Sequence, residues 1–160
     1  MVKTDPVEVL KKTGYTKLTA FTHCWLLIRE IHKHLDSVLY KNAKISAVQV
    51  FVLHSLVTNN GVMNPTSIAR WLGTQRHNIT TLIRRMEKSE LVRIERDNKN
   101  KRQVNVILTD KGRSVFEETG PIASRFLEDI MSSVTDEGIT QMQSNIESMS
   151  DNLTKEKNQS

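Results

Sequence analysis

Apolar residues recur at three- and four-residue steps along much of the chain, a spacing that predicts helices. From Thr16 to about Lys41, the residues Leu18, Phe21, Trp25, Ile28, Leu35, Val38 and Leu39 mark one face of a long helix. Ser46 is placed to cap a second helix through Val57, which the turn signal Asn59-Asn60-Gly61 ends. Asn64-Pro65 opens a short helix and Gly73 closes it, since proline suits a first helical position and glycine a helix end. Gln75 to Ser89 reads as another helix, with Ile79, Leu82, Ile83 and Met86 on one side. Then the period changes. Leu91 to Arg96 and Gln103 to Leu108 are β-type runs, and Val104, Val106 and Leu108 alternate with Asn105 and Ile107 as in a half-buried strand. Thr109-Asp110 caps a following helix, which Gly120-Pro121 is expected to interrupt or kink. A last helix follows Thr135-Asp136-Glu137, with Ile139, Met142, Ile146, Met149 and Leu153 in step, and the polar end from Asn152 to Ser160 is expected to fray.

The pattern therefore predicts a mainly α fold with a small β-hairpin (α+β). Within it, Thr66 to Leu82 has helix-turn-helix spacing. Ala69 is the small residue that lets two short helices cross closely, and Gly73 tolerates the positive φ of the tight turn. Ile68 and Leu72 before the turn, with Ile79 and Leu82 after it, make a shared apolar wedge. The outward positions of the second helix are Gln75, Arg76, His77, Asn78, Thr80, Thr81, Arg84 and Arg85, with no acid before Glu87. Arginine can bond guanine O6 and N7 together, asparagine and glutamine can do the same with adenine, and threonine methyls can meet thymine. A solvated helix of this length ordinarily mixes glutamate with lysine, so the residue choice points to DNA.

Charge sharpens this picture. The chain of 160 residues carries a formal +5, unevenly spread. Residues 70–113 hold 12 basic against 5 acidic groups, while residues 114–160 hold 3 basic against 9 acidic. A basic middle beside an acidic tail implies a localised polyanion-binding surface. The hairpin shares that surface, since Arg96, Lys99, Asn100, Lys101 and Arg102 lie at or near its tip. A ribbon with such a tip can follow phosphates or enter a minor groove.

The run from Asn64 to Gly112 resembles the winged helix-turn-helix of the MarR family of transcriptional regulators. The residues that carry the likeness are Ile68 through Gly73, Ile79 through Glu87, Leu91 through Arg96, and Val104 through Gly112. The resemblance implies a homodimer, with residues 1–45 and 114–160 as a helical dimerisation region around a DNA-binding region at 46–113. It also implies a palindromic operator, usually repressed, and release of DNA by a small ligand in a pocket between the regions. Two departures stand out. Asn100 replaces the second acid of the family's Asp-x-x-Asp-Arg-Arg wing, which removes the usual brace, and Glu90 takes a place where relatives often have glycine.

Other chemistry is sparse. His23, Trp25, Phe51 and His54 are conceivable ligand-pocket residues, from the family resemblance alone. Cys24 is the single cysteine; it rules out an internal disulfide framework and a Cys-rich zinc site. Related regulators sense peroxide through an N-terminal cysteine held by second-helix tyrosines, but Ser46 to Phe51 has none, so a buried structural cysteine is the expected role. Thiol-based sensing through Cys24 stays open as an alternative. His32 and His34, two apart on a helix, point apart, and no histidine, cysteine and acid cluster has metal spacing. Neither a metal nor a cofactor is expected. No phosphate loop, nucleophile elbow or paired carboxylate supports an enzyme. A winged helix can also bind protein rather than DNA, the other alternative. No run of 18 apolar residues and no signal-type N-terminus occur, which favours a cytoplasmic protein without membrane contact.

Overall fold

The computed structural model describes residues 16–96 and 104–159. In chain order the elements are α1 (Lys17–Ala43), α2 (Ala47–Thr58), β1 (Val62–Met63), α3 (Pro65–Trp71), α4 (Arg76–Lys88), β2 (Val92–Arg96), β3 (Val104–Leu108), α5 (Asp110–Met131) and α6 (Asp136–Gln159). Two compact units divide after Ala123, so α5 begins in the first and ends in the second.

Caps fix the helix starts. Thr16 and Thr19 form a reciprocal box at α1, and Ser46 and Gln49 form another at α2. Asp36, on α1, accepts the Ala47 N–H at 2.8 Å, which ties the first helix to the start of the second. The chain turns between them at Lys44, whose φ is 55°. The C-terminal half of the α1 stripe, Leu35 and Leu39, is buried, whereas Leu18 and Ile28 in its N-terminal half are 73% and 65% exposed. Helix α2 buries Val50, Val52, Leu53 and Leu56 and lies at the centre of the first core. Ile68, Ile79, Ile83, Met86, Val92 and Val106 complete that core. Each such side chain contributes about 1.5–3 kcal/mol on leaving water.

The β-hairpin gains a third strand. The antiparallel order is β1–β3–β2, with Val62 opposite Ile107 and Val92 opposite Leu108. A two-residue strand is too short to show alternation, so its sequence carries no strand signal. Its placement comes from the preceding turn, where Asn60 and Gly61 take φ of 56° and 80° and the Gly61 carbonyl accepts the Leu108 N–H at 2.8 Å.

The helices that follow run longer than expected. Helix α5 continues through Gly120-Pro121 rather than stopping there. Proline lacks one N–H and so deletes one intrahelical bond, while the turns on either side keep theirs. The polar C-terminal end, expected to fray, is helical to Gln159. After Gly138 it holds neither glycine nor proline, and side-chain bonds such as Gln143 to Glu147 at 3.0 Å support it. Helix α6 starts on Thr135, whose hydroxyl accepts the Gly138 N–H. Among the described residues every buried side-chain polar atom has a hydrogen-bond partner. No helix among them is long and apolar enough to cross a membrane.

Candidate nucleic-acid interface

The helix-turn-helix is built as its spacing predicts. Asn64 accepts the Ser67 N–H at 2.8 Å and Pro65 fills the first position of α3. Gly73 has φ +62°, and the Thr74 N–H returns to the Ala69 carbonyl at 2.9 Å, closing the turn over a buried Ala69. Beyond it, Ile79, Ile83 and Met86 anchor α4 in the core, with Leu82 and Leu72 half-buried at the edge of the wedge.

Anchoring that side turns the other outward. His77, Thr81, Arg84 and Lys88, at helical steps opposite the buried stripe, are exposed, as are Gln75, Arg76, Asn78 and Arg85. Thr80 differs, being half-buried, with its hydroxyl donating to the Arg76 carbonyl at 3.0 Å. Its neighbour Thr81 bonds back to His77 at 3.5 Å, and Asn78 reaches Thr74 at 3.4 Å. These local bonds orient short polar groups on the surface of the helix. Among the described residues, none of Arg70, Arg76, Arg84, Arg85 and Arg96 is in an ion pair. Several guanidinium groups without a carboxylate partner make a face suited to a polyanion.

Sequence reasoning overlooked part of this face. An open cleft of about 370 Å³ lies where the start of α3, the start of α4 and the root of β3 converge. Asn64, Thr66, Ser67, Arg70, Arg76 and Asn105 line it, a polar set with two guanidinium groups. Of these only Arg76 was expected. Arg70 is readable in hindsight as the one basic residue of the first helix, and Lys88 from its step after Arg84.

In the hairpin, Arg96 is exposed at the end of β2, and Arg93 pairs with Glu95 at 2.9 Å. The predicted tip residues Lys99, Asn100, Lys101 and Arg102 lie outside the described residues. At the hairpin's base Glu90 has φ 60°, the conformation that glycine favours. Its carbonyl accepts the Thr109 hydroxyl at 2.6 Å and its carboxylate meets Lys111 at 3.0 Å, so the departure from glycine is held by its neighbours.

The four pocket residues have separate surroundings. Trp25 is exposed and carries Arg29 over its ring at 5.2 Å, while His23, two residues before it in α1 and so turned to nearly the opposite side, is half-buried. Phe51 meets the His32 ring, and His54 stacks on Phe116 at 5.7 Å and meets Trp71 edge-on at 5.4 Å. Cys24 corrects the expectation of burial, because it is exposed on α1. That half of α1 turns most of its residues outward, which leaves the thiol at the surface. No group of three or more potential metal ligands occurs among the described residues.

Comparison with known proteins gives a family match over part of the chain. Residues 45–104 match the model of the MarR family. The organohalide sensing RdhR-CbdbA1625 transcriptional regulator, ligand free, superposes with a TM-score of 0.79 at 21% identity, covering 95% of this chain and 88% of that one. Sco3205, a MarR family transcriptional regulator from Streptomyces coelicolor in complex with DNA, gives 0.76 at 22% identity, covering 88% and 94%. BpsR of Bordetella bronchiseptica, whose DNA binding is regulated by 6-hydroxynicotinic acid, gives 0.67 at 20% identity, covering 80% and 98%. No curated protein matches the chain. The fold is that of these winged-helix regulators, mostly helical with a small three-stranded antiparallel sheet.

Proposed function

With residues 45–104 forming a MarR-family domain, we propose that the chain is a sequence-specific DNA-binding transcriptional regulator that works as a homodimer on a palindromic operator. The observation that carries this is the exposed face of α4, which presents Arg76, His77, Asn78, Thr81, Arg84 and Arg85 with no acid among them. Phosphate contacts would come from the cleft arginines and the wing, and base contacts from α4. Two-fold symmetry then puts two α4 helices in successive major grooves, about 34 Å apart. The exposed apolar rows of α1 and α6 supply surfaces for a second copy. Repression, with release by a small molecule, completes the reading; regulators of the same fold include an organohalide sensing one and BpsR, whose DNA binding is regulated by 6-hydroxynicotinic acid. The chain needs no catalytic group, metal or cofactor for this work.

Selection of bound duplexes from a random DNA pool tests the proposal. An inverted repeat with half-site centres about 10 base pairs apart is expected. A pool that stays random would point instead to a protein-docking winged helix and overturn the reading. Regulation by thiol oxidation is an independent branch. Operator binding abolished by oxidant in the wild type but not in Cys24→Ser would establish it.

A further inference from the structure

Helix α4 carries one acid, Glu87, on a surface otherwise arranged for a polyanion. It is not a fully solvated charge. Glu87 is half-buried, and its Oε1 accepts the backbone N–H of Ile94 at 3.0 Å. The sheet order β1–β3–β2 makes β2 an edge strand, whose outer amides have no neighbouring strand to bond. Ile94 donates from that outer side, so Glu87 supplies the partner that the sheet cannot. The six residues between them run through a tight turn held by Glu90 N–H to the Glu87 carbonyl and Leu91 N–H to the Met86 carbonyl, both at 2.9 Å.

We propose that Glu87 is the positioning residue that fixes the wing against the recognition helix, so that base contacts from α4 and phosphate contacts from the wing fall in one register on DNA. This inference rests on the DNA-binding reading above. A carboxylate makes a strong acceptor for an amide, and the acceptor role accounts for an acid that would otherwise repel phosphate. Glutamine retains the acceptor without the charge, whereas alanine removes both.

The test combines amide exchange at Ile94, followed by NMR, with duplex affinity for the wild type, Glu87→Gln, Glu87→Ala, Arg96→Ala and the double variant Glu87→Ala/Arg96→Ala. Ile94 should be protected in the wild type and in Glu87→Gln, and exchange about tenfold faster or more in Glu87→Ala. Glu87→Gln should bind DNA at least as tightly as the wild type. Glu87→Ala should lose about tenfold, and adding Arg96→Ala should lose less than the product of the single losses, since an unfixed wing no longer presents Arg96. Losses that simply multiply, or a Glu87→Gln as weak as Glu87→Ala, would overturn the proposal. An unprotected Ile94 in a wild type that binds DNA would overturn the bracket alone. A protected Ile94 in a protein that binds no duplex would overturn the DNA-binding reading, and with it the bracket's role there.

Discussion

Gly73 and Glu90 both hold positive φ, +62° and +60°, yet only the glycine does so freely. A residue with a Cβ in that conformation sacrifices about 1–2 kcal/mol, and the Glu90–Lys111 pair is exposed and returns little. Glu90→Gly should therefore raise the thermal midpoint by about 1–3 °C, as followed by circular dichroism; a fall of that size would mean that the ion pair outweighs the strain. The DNA-facing residues divide in the same residue-by-residue way. Arg76→Ala is expected to lose about 1–3 kcal/mol on the preferred duplex and to relax sequence choice. Lys101→Ala should weaken every duplex alike and lower the salt slope by about one. Titrations against the enriched and a random duplex separate the two, and equal losses for both variants on both duplexes would remove the division between reading and anchoring.

At the scale of elements, the wing and α5 are joined by a close backbone approach. Gly112 lies buried in the first turn of α5, and a Cβ there would run into the Leu91 carbonyl oxygen, backbone that the Thr109 hydroxyl already holds. Gly112→Ala should cost at least about 2–3 kcal/mol, measured as a lower denaturation midpoint, and an unchanged midpoint would contradict that packing. Most elements were readable from the sequence where local signals and tertiary packing agree. Asn64-Pro65, Ala69 and Gly73 gave the helix-turn-helix, and the period-two run at Val104 to Leu108 gave β3. Where they diverge, the sequence misleads. Strand β1 exists only through its pairing with Ile107 and Val106, and Pro121 loses its local veto inside a helix long enough to carry it. The site follows the same logic: outward residues of α4 show in a helical projection, while Asn64, Arg70 and Asn105 meet in one cleft only once three elements have packed.

At the scale of the whole molecule, the basic centre lies in the first unit, while seven of the nine acids of residues 114–160 lie in the second. Apolar side chains of α6, among them Ile146 and Met149 at 57% and 60% exposure, find no cover within their own unit. Dimerisation is the proposed use of that row, so sedimentation should give twice the chain mass at micromolar concentration. Ile146→Glu should shift it toward monomer, and a wild type sedimenting as a monomer would contradict the homodimer. With roughly 6–10 phosphate contacts per dimer, affinity should fall by about a thousandfold or more between about 50 and 200 mM salt. The most direct measurement is a titration against a duplex carrying the enriched inverted repeat and against the same duplex with one half-site scrambled. Two α4 helices reading one operator predict at least about a tenfold loss on scrambling. Equal affinity for the two duplexes would contradict sequence-specific reading by a two-fold dimer.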